Sequence, residues 1–249
     1  AKRWLVEDGN EILENAKKVK TVLISYGDPY IATTHLELKT RAIKNNVETK
    51  TIHSSSIVSS LIGEVGLHYY KVGKILTIMN DSKSMITPYN TIFNNLLNHA
   101  HSVILLEYNE DKSFFLEPEN ALSLLLDIEK NQNRKVISSE TFGIIGSRIG
   151  KSDQKIISGK ISNLIKNKFG EPPHSIIIPG SLHFTESDAL KIVTECLDEP
   201  FDNSANLKSI SQQMIEKYVP MVREALEEIK PHYENVKEYE DVLINAKLY

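Results

Sequence analysis

The chain has 249 residues, of which 41% are apolar and 25% are charged, and its formal net charge is −4. These values are typical of a globular protein with a sizeable core, and the slightly acidic balance argues against nucleic-acid binding through bulk charge. No apolar run in the sequence is long enough to span a bilayer, so no membrane partner is expected. The single cysteine, Cys196, excludes an intrachain disulfide and a multi-cysteine zinc site. With no apolar leader at the amino end, this favours a cytoplasmic protein without a metal.

The first part of the chain is predicted to fold as a βαβ unit. Residues 7–19 have the spacing of a short amphipathic helix, and Thr21–Ile24 is a short apolar run typical of a buried strand. A helix over about Pro29–Lys44 and a second strand over Val47–His53 follow. Two strands that flank a helix predict a parallel pair with a right-handed crossover.

Each of these predicted strands is followed by a turn that could bind a ligand. After the first strand, Gly27 permits a tight turn, Asp28 can cap the next helix and Pro29 suits its first position. After the second strand, the serines at 54–56 can cap a helix that begins near Ile57. Because parallel strands end at the same sheet edge, the two turns predict one cleft. The alternative is a pair of well-capped βα turns with no ligand.

The second half of the chain is predicted to be a mixed α/β domain. Its predicted strands are Ile75–Met79, Val103–Leu106, Phe142–Ile149 and Ser175–Ile178. Its predicted helices are Tyr89–His99, one helix within Phe114–Asn131, and Ile161–Lys168. From about Leu207 the helical spacing continues among many charges, which predicts a helical hairpin. The expected division is a first α/β domain over 1–72, a second over 73–200 and a helical extension over 205–249.

The run from Gly27 to His35, GDPYIATTH, resembles the diphthine synthases, a branch of the tetrapyrrole-methylase-like class of S-adenosylmethionine (SAM) methyltransferases. Gly-Asp-Pro marks the wider class, and the Ala-Thr-Thr-His that follows is typical of this branch. Similar stretches occur in order at His53–Ile57, Gly66–Lys74 and Phe169–His183. The family begins with a strand that ends in a Gly-Leu-Gly-Leu type turn, and residues 1–20 do not match it. An amino-terminal part of the first domain is therefore expected to be absent from this chain.

The resemblance implies a two-domain α/β fold, with a parallel sheet in the first domain, a mixed sheet in the second and SAM in the cleft between them. It also implies methylation of the amino group of a 3-amino-3-carboxypropyl chain on a histidine of translation elongation factor 2, a step of diphthamide synthesis. A homodimer is the expected assembly, and no nucleic-acid partner is expected. The SAM contacts implied by the resemblance are Asp28, Ile31, Ser56, Ile57, Leu106, Ile149 and His174.

No side chain is assigned as catalytic, because methyl transfer from a sulfonium needs positioning and a neutral amine rather than a nucleophilic residue. His35, His68 and His183 are candidates to face the acceptor, and histidines held by backbone hydrogen bonds are the alternative. Two other functions stay open. One is a non-catalytic protein-interaction module derived from this fold, and the other is a SAM methyltransferase acting on a tetrapyrrole or another small molecule.

Overall fold

The computed structural model describes residues 3–109, 112–203, 218–225 and 227. The strands are β1 (Leu76–Ile78), β2 (Ser102–Leu106), β3 (Tyr108–Asn109), β4 (Phe114–Phe115), β5 (Phe142–Ser147), β6 (Lys155–Lys160), β7 (His174–Ile178) and β8 (Glu195–Cys196). The helices are α1 (Arg3–Asp8), α2 (Asn10–Ala16), α3 (His35–Lys44), α4 (Ile57–Glu64), α5 (Ile86–Leu97), α6 (Pro118–Gln132), α7 (Ile161–Leu164) and α8 (Phe184–Val193). Short 3-10 turns cover Tyr69–Lys71 and Ser82–Ser84.

Six of the strands form one mixed sheet in the order β1-β2-β7-β5-β6-β8. The pairs β1–β2 and β6–β8 are parallel, and β2–β7, β7–β5 and β5–β6 are antiparallel. Every residue of β5 and β7 is buried, which is the burial expected for central strands covered on both faces. The prediction of an α/β fold with a mixed sheet is confirmed.

Consecutive residues of the central strands point into two different cores. Ile104 and Ile176 pack with the apolar residues of α5 and α6, whereas Val103 and Ile177 pack with those of α4 and α8. Helix α4 lies so close to the sheet that a Cβ added to Gly146 would be 2.3 Å from Leu61 Cδ1. The sheet is therefore one layer between two layers of helices, and α4 is fixed directly on it.

The strands predicted at Thr21–Ile24 and Val47–His53 are wrong: both segments lack regular structure, so the parallel sheet predicted for the first domain does not form among the described residues. An apolar run becomes a strand only when a neighbour offers backbone hydrogen bonds and a surface to cover it. No described strand pairs with either segment, and Val22 and Ile24 are 71% and 83% exposed. Helix α3 begins at His35 rather than at Pro29, with several turns between them.

Other elements were not predicted, have different bounds or lie outside the described residues. Strand β6 was not predicted, and α7 ends at Leu164, earlier than the predicted Lys168. The predicted helical extension over 205–249 lies outside the described residues except for 218–225 and 227, which are helical. Among the helices of the described ranges, none has the length and apolar character to cross a membrane.

Candidate functional site

The two turns singled out in the sequence are in direct contact. The Asp28 carboxylate accepts hydrogen bonds from Tyr30 N at 2.9 Å and Ser54 N at 3.3 Å, and it lies 2.7 Å from His53 Nδ1. Gly27 has a φ of +67°, and a Cβ there would lie 3.2 Å from the backbone oxygen of Ser55. Asp28 therefore ties the Gly-Asp-Pro turn to the serine turn, although neither segment before them is a strand.

These hydrogen bonds also set the charge of Asp28. The Tyr30 N–H, then the His53 imidazole and the Ser54 N–H, lower the pKa of the Asp28 carboxyl below its usual range and outweigh burial, which would raise it. The Asp28 side chain is 10% exposed. The turn pair thus holds a carboxylate that stays ionised at neutral pH.

The serine turn leads directly into α4. Ser56 is the N-cap of this helix, and its Oγ accepts a hydrogen bond from Val58 N at 3.3 Å. Ile57 is partly buried against the core cluster that includes Leu61. Ile31, on the Gly-Asp-Pro side, is 46% exposed. The turn pair therefore combines a capped helix start with an exposed apolar side chain.

The other predicted SAM contacts lie at one edge of the central sheet. Leu106 is the last residue of β2, and His174 is the first residue of β7, paired with Ser147 at the end of β5. Ile149 follows two residues after Ser147 and packs against the same cluster as Ile57. Helix α4 and this cluster therefore connect the turn pair to the sheet edge, which we call the His174 edge (Leu106, Ser147, Ile149 and His174).

At the His174 edge, one buried nitrogen has no hydrogen-bond partner in the described part of the chain. The His174 side chain is 1% exposed, and its Nδ1 lies 2.8 Å from Ser147 Oγ. Its Nε2 has no hydrogen bond and lies 3.5 Å from Glu117 Oε2. Burial lowers the pKa of His174, whereas the carboxylates of Glu119 and Glu171 raise it. Burial has the larger effect, so the pKa of His174 is lowered. The lower pKa favours the neutral imidazole, which can accept or donate a hydrogen bond at Nε2.

The opposite sheet edge holds a second histidine–glutamate cluster. His101 comes just before β2, and Gly180 comes shortly after β7. They therefore lie at the ends of these two strands opposite Leu106 and His174. Glu186 is fully buried here and accepts hydrogen bonds from the backbone nitrogens of His68 and His183, each at 2.7 Å. Two side-chain nitrogens also reach it, Lys71 Nζ at 2.6 Å and His101 Nε2 at 3.0 Å.

The charges in this cluster are fully compensated, and we call it the Glu186 clamp (His68, Lys71, His101, His183 and Glu186). Burial alone would raise the pKa of Glu186, but the Lys71 ammonium and the two backbone N–H groups outweigh it and lower the pKa to about 2. His101 Nδ1 accepts from Gly180 N at 3.1 Å, so its proton is on Nε2, facing Glu186. The clamp therefore has the features of a structural element.

The clamp also decides the position of two histidines suggested as acceptor contacts. His68 and His183 belong to it, and α4 separates His68 from Ser56 by eight helical residues, or about 12 Å. His35 Nδ1 lies 2.9 Å from the backbone oxygen of Pro29, so this ring is held by the backbone. His68 and His183 thus lie at the strand ends opposite His174.

Several polar residues were missed in the sequence, and the missed signals are weak. Glu117 and Glu119 flank Pro118 at the start of α6, a common way to begin a helix. Glu186 is three residues after His183, the spacing of a capping box, but with histidine in place of serine or threonine. In the described ranges, no group of three histidine, cysteine, aspartate or glutamate side chains is arranged to hold a metal ion.

Comparison with known proteins identifies relatives of this chain. The family model described as Tetrapyrrole (Corrin/Porphyrin) Methylases matches residues 6–165. A diphthine synthase of Methanococcus maripaludis is 40% identical over 188 residues, which cover 75% of this chain and 73% of the relative. A diphthine synthase of Methanocaldococcus jannaschii is 38% identical over 192 residues, which cover 76% of this chain and 74% of the relative.

The fold comparison gives the same grouping. A crystal structure of a diphthine synthase superposes with a TM-score of 0.69 at 28% identity, and the match covers 79% of this chain and 74% of that one. A conserved hypothetical protein from Aeropyrum pernix has a TM-score of 0.71 at 22% identity and covers 85% of this chain and 76% of that one, which supports the fold alone.

Proposed function

Because the chain belongs to the tetrapyrrole methylase family and is a methyltransferase similar to diphthine synthases, we propose that it uses SAM to methylate a modified histidine of translation elongation factor 2. The proposed acceptor is the amino group of the 3-amino-3-carboxypropyl chain on that histidine, in the diphthamide pathway. The proposed organisation is a homodimer of chains with a first domain over 1–72, whose described residues form no strand, an α/β domain over 73–200 and a helical extension over 205–249. The proposed location is the cytoplasm.

The residues present are chemically suited to SAM, which supplies a methyl group already activated on a sulfonium. Leu106 and Ile149 are half-buried and offer apolar walls. His174 lies at the same strand ends with its side chain 1% exposed, and it adds a polar ring to these walls. We assign these residues, with Asp28, Ile31, Ser56 and Ile57, as the SAM-binding set.

The observation that carries the proposal is the contact between the two turns through Asp28. The ionised carboxylate can accept hydrogen bonds from amino or hydroxyl groups of a ligand, because an aspartate has about four lone-pair positions and three donors from the described residues reach it. The capped start of α4 beside it leaves backbone N–H groups that favour a polar ligand. Apolar walls with a few fixed polar groups are the usual composition of a small-ligand site.

Calorimetric titration with SAM and mass spectrometry of modified elongation factor 2 test the proposal. We expect saturable binding and an added mass of whole methyl groups on the modified histidine. Replacing Asp28 by alanine should weaken SAM binding at least tenfold. No heat of binding and no added mass from the folded protein would refute the proposed function.

A matched control is available in another turn. Asp198 also accepts a backbone hydrogen bond, from Lys160 N at 2.8 Å, and its Oδ1 and Oδ2 each lie 3.0 Å from Asn163 Nδ2. It lies beside the end of β6 that pairs with the start of β5, away from the His174 edge. Asp198→Ala removes similar hydrogen bonds and should leave the affinity for SAM unchanged.

A further inference from the structure

The start of α6 and the segment before β7 together bring three carboxylates to the His174 edge that the SAM-binding set does not use. Glu117 and Glu119 flank Pro118 at this helix start, and Glu171 lies in the segment before β7. Leu116 N donates to Glu107 O at 2.9 Å, which fixes the helix start beside the end of β2 at Leu106. The acidic group is therefore adjacent to the proposed SAM site.

The Glu117 carboxylate is directed at His174 and does not serve as a helix cap. Glu117 occupies the N-cap position, but its side chain makes no capping hydrogen bond. Its Oε2 lies 3.5 Å from His174 Nε2, and its side chain is 41% exposed. Glu117 can thus reach a ligand from a position that also touches a buried imidazole.

Two buried polar atoms of this group lack hydrogen-bond partners among the described residues. One is His174 Nε2, on a side chain that is 99% buried, and the other is Glu119 Oε2. Buried polar atoms are nearly always paired, and an exception indicates a position where a ligand can supply the partner. An acidic group with a free imidazole nitrogen is suited to a ligand that carries a positive charge and several N–H donors.

We propose that Glu117, Glu119 and Glu171, gathered around His174, bind the ammonium group of the acceptor, and that Glu117 accepts one of its protons. This inference rests on the proposed function, in which the acceptor is a primary amine. Near neutral pH such an amine is mostly protonated, and a protonated nitrogen has no lone pair to methylate. It adds to that function the residue that releases the lone pair.

The proton transfer balances in charge and electrons. One N–H bond of the ammonium breaks, its electron pair stays on nitrogen, and an O–H bond forms on Glu117, so that both groups become neutral. The proton later passes from Glu117 to water at its exposed side. Burial raises the pKa of Glu117, as do the charges of Glu119 and Glu171, so this carboxylate is a stronger base than an ordinary glutamate.

His174 acts here as a positioning residue. The Ser147 hydroxyl can donate to Nδ1 or accept from it, so the neutral imidazole can carry its single proton on either nitrogen. When Nε2 carries the proton, the imidazole can donate a hydrogen bond to the ionised Glu117. When Nδ1 carries the proton, the lone pair on Nε2 can accept a hydrogen bond from the protonated Glu117. The other charged groups near this imidazole are Glu119, Glu171 and, through its hydrogen bond to Pro172 O, Arg148, which is paired with Asp153.

The test is Glu117→Gln, which keeps the size of the side chain and removes its basicity. We expect kcat on modified elongation factor 2 to fall about 100-fold, a typical loss for a positioned proton acceptor. The acidic limb of the pH profile of kcat/KM should disappear in this variant. The SAM dissociation constant, measured by calorimetry without acceptor, should change less than twofold.

Two further variants make the test specific. Glu119→Gln should raise KM for the acceptor severalfold with little change in kcat, because it removes charge but not the proton acceptor. Asp127→Asn on the same helix changes an exposed carboxylate paired with Lys130 and should leave both constants unchanged. Circular dichroism and thermal melting confirm that each variant folds.

The possible results separate the inference from the proposed function. If the unmodified protein binds SAM and methylates the acceptor but Glu117→Gln behaves like Asp127→Asn, the proton-acceptor assignment is wrong and the proposed function stands. If Glu117→Gln loses SAM affinity, Glu117 is a SAM contact and the assignment is also wrong. If Glu117→Gln does not fold, the unmodified protein provides the test. A pH profile of kcat/KM without an acidic limb then refutes the assignment. Failure of the unmodified protein to bind SAM or methylate the acceptor refutes the proposed function.

Discussion

Each edge of the central sheet buries a histidine beside a glutamate, but the two pairs are bonded differently. In the Glu186 clamp, both carboxylate oxygens and both nitrogens of His101 have partners. At the His174 edge, Nε2 has none in the described part of the chain and faces Glu117 at 3.5 Å. The same residue types thus build a closed structural network at one edge and leave binding capacity at the other.

Stability and ligand binding are served by opposite ends of the same strands in this molecule. A buried carboxylate is tolerated when its charge is compensated and its hydrogen bonds are made. Removing it leaves each of its partners buried without an acceptor, which costs stability. An uncompensated group costs stability, so it indicates a site that a ligand completes. The comparison therefore predicts large stability losses at the Glu186 clamp and small ones at the His174 edge.

The largest expected effect is the removal of Glu186. Glu186→Ala leaves the Lys71 ammonium, the His101 N–H and two backbone N–H groups without their acceptor. We expect a loss of about 3–5 kcal/mol in the free energy of unfolding, measured by chemical denaturation. Asp127→Ala, which removes an exposed carboxylate, should change it by less than about 0.5 kcal/mol. Equal losses in the two variants would contradict the distinction between clamp and surface pair.

The clamp also predicts how stability depends on pH. The pKa of Glu186 falls from an ordinary 4.5 to about 2 in the folded protein. The folded state therefore binds its proton only at lower pH than the unfolded state, so this contribution is complete above pH 4.5 and is lost as the pH falls towards 2. The shift corresponds to about 3 kcal/mol. Denaturation at a series of pH values, with Glu186→Gln for comparison, should show a weaker dependence over this range in the variant.

The two edges also differ in how far sequence could reveal them. Strands β2, β5 and β7 were predicted because buried apolar runs followed by turn residues are local signals. The segments at 21–24 and 47–53 have similar local signals, yet neither pairs with a described strand. Pairing depends on a distant partner, which periodicity does not contain.

The site divides in the same way. The contact of Asp28 with Ser54 was inferred from two parallel strands that do not form among the described residues, so only the capping pattern of each turn was foreseeable. The approach of Glu117 to His174 was not, because 57 residues separate them and the contact depends on the antiparallel placement of β7 between β2 and β5. Spacing predicts what lies within one turn or one strand end, whereas sheet order decides which ends meet.

A substitution at each of the two buried histidines compares the edges directly. His101→Leu leaves Gly180 N–H without its acceptor and Glu186 with one donor fewer, so we expect a loss of about 2–3 kcal/mol. His174→Leu removes one hydrogen bond, to Ser147, whose hydroxyl can rotate to another partner, and the 3.5 Å approach to the partly exposed Glu117, so a loss of at most about 1 kcal/mol is expected. Urea denaturation of the two variants measures both values. A larger loss for His174→Leu would mean that the His174 edge is structural as well.

The last pair of variants tests the attachment of α4 to the sheet below the His174 edge. Gly146→Ala places a Cβ 2.3 Å from Leu61 Cδ1 and 3.2 Å from Ile149 Cδ1, and overpacking of this kind costs about 1–3 kcal/mol. Gly63→Ala lies within α4 itself, with no atom within 4 Å of the added Cβ, so it should raise stability by about 0.5–1 kcal/mol. Thermal denaturation should thus show opposite signs for one added methyl group. If Gly146→Ala is neutral, α4 moves away from the sheet at little cost, and Ser56 and Ile57 are then not held rigidly against the His174 edge.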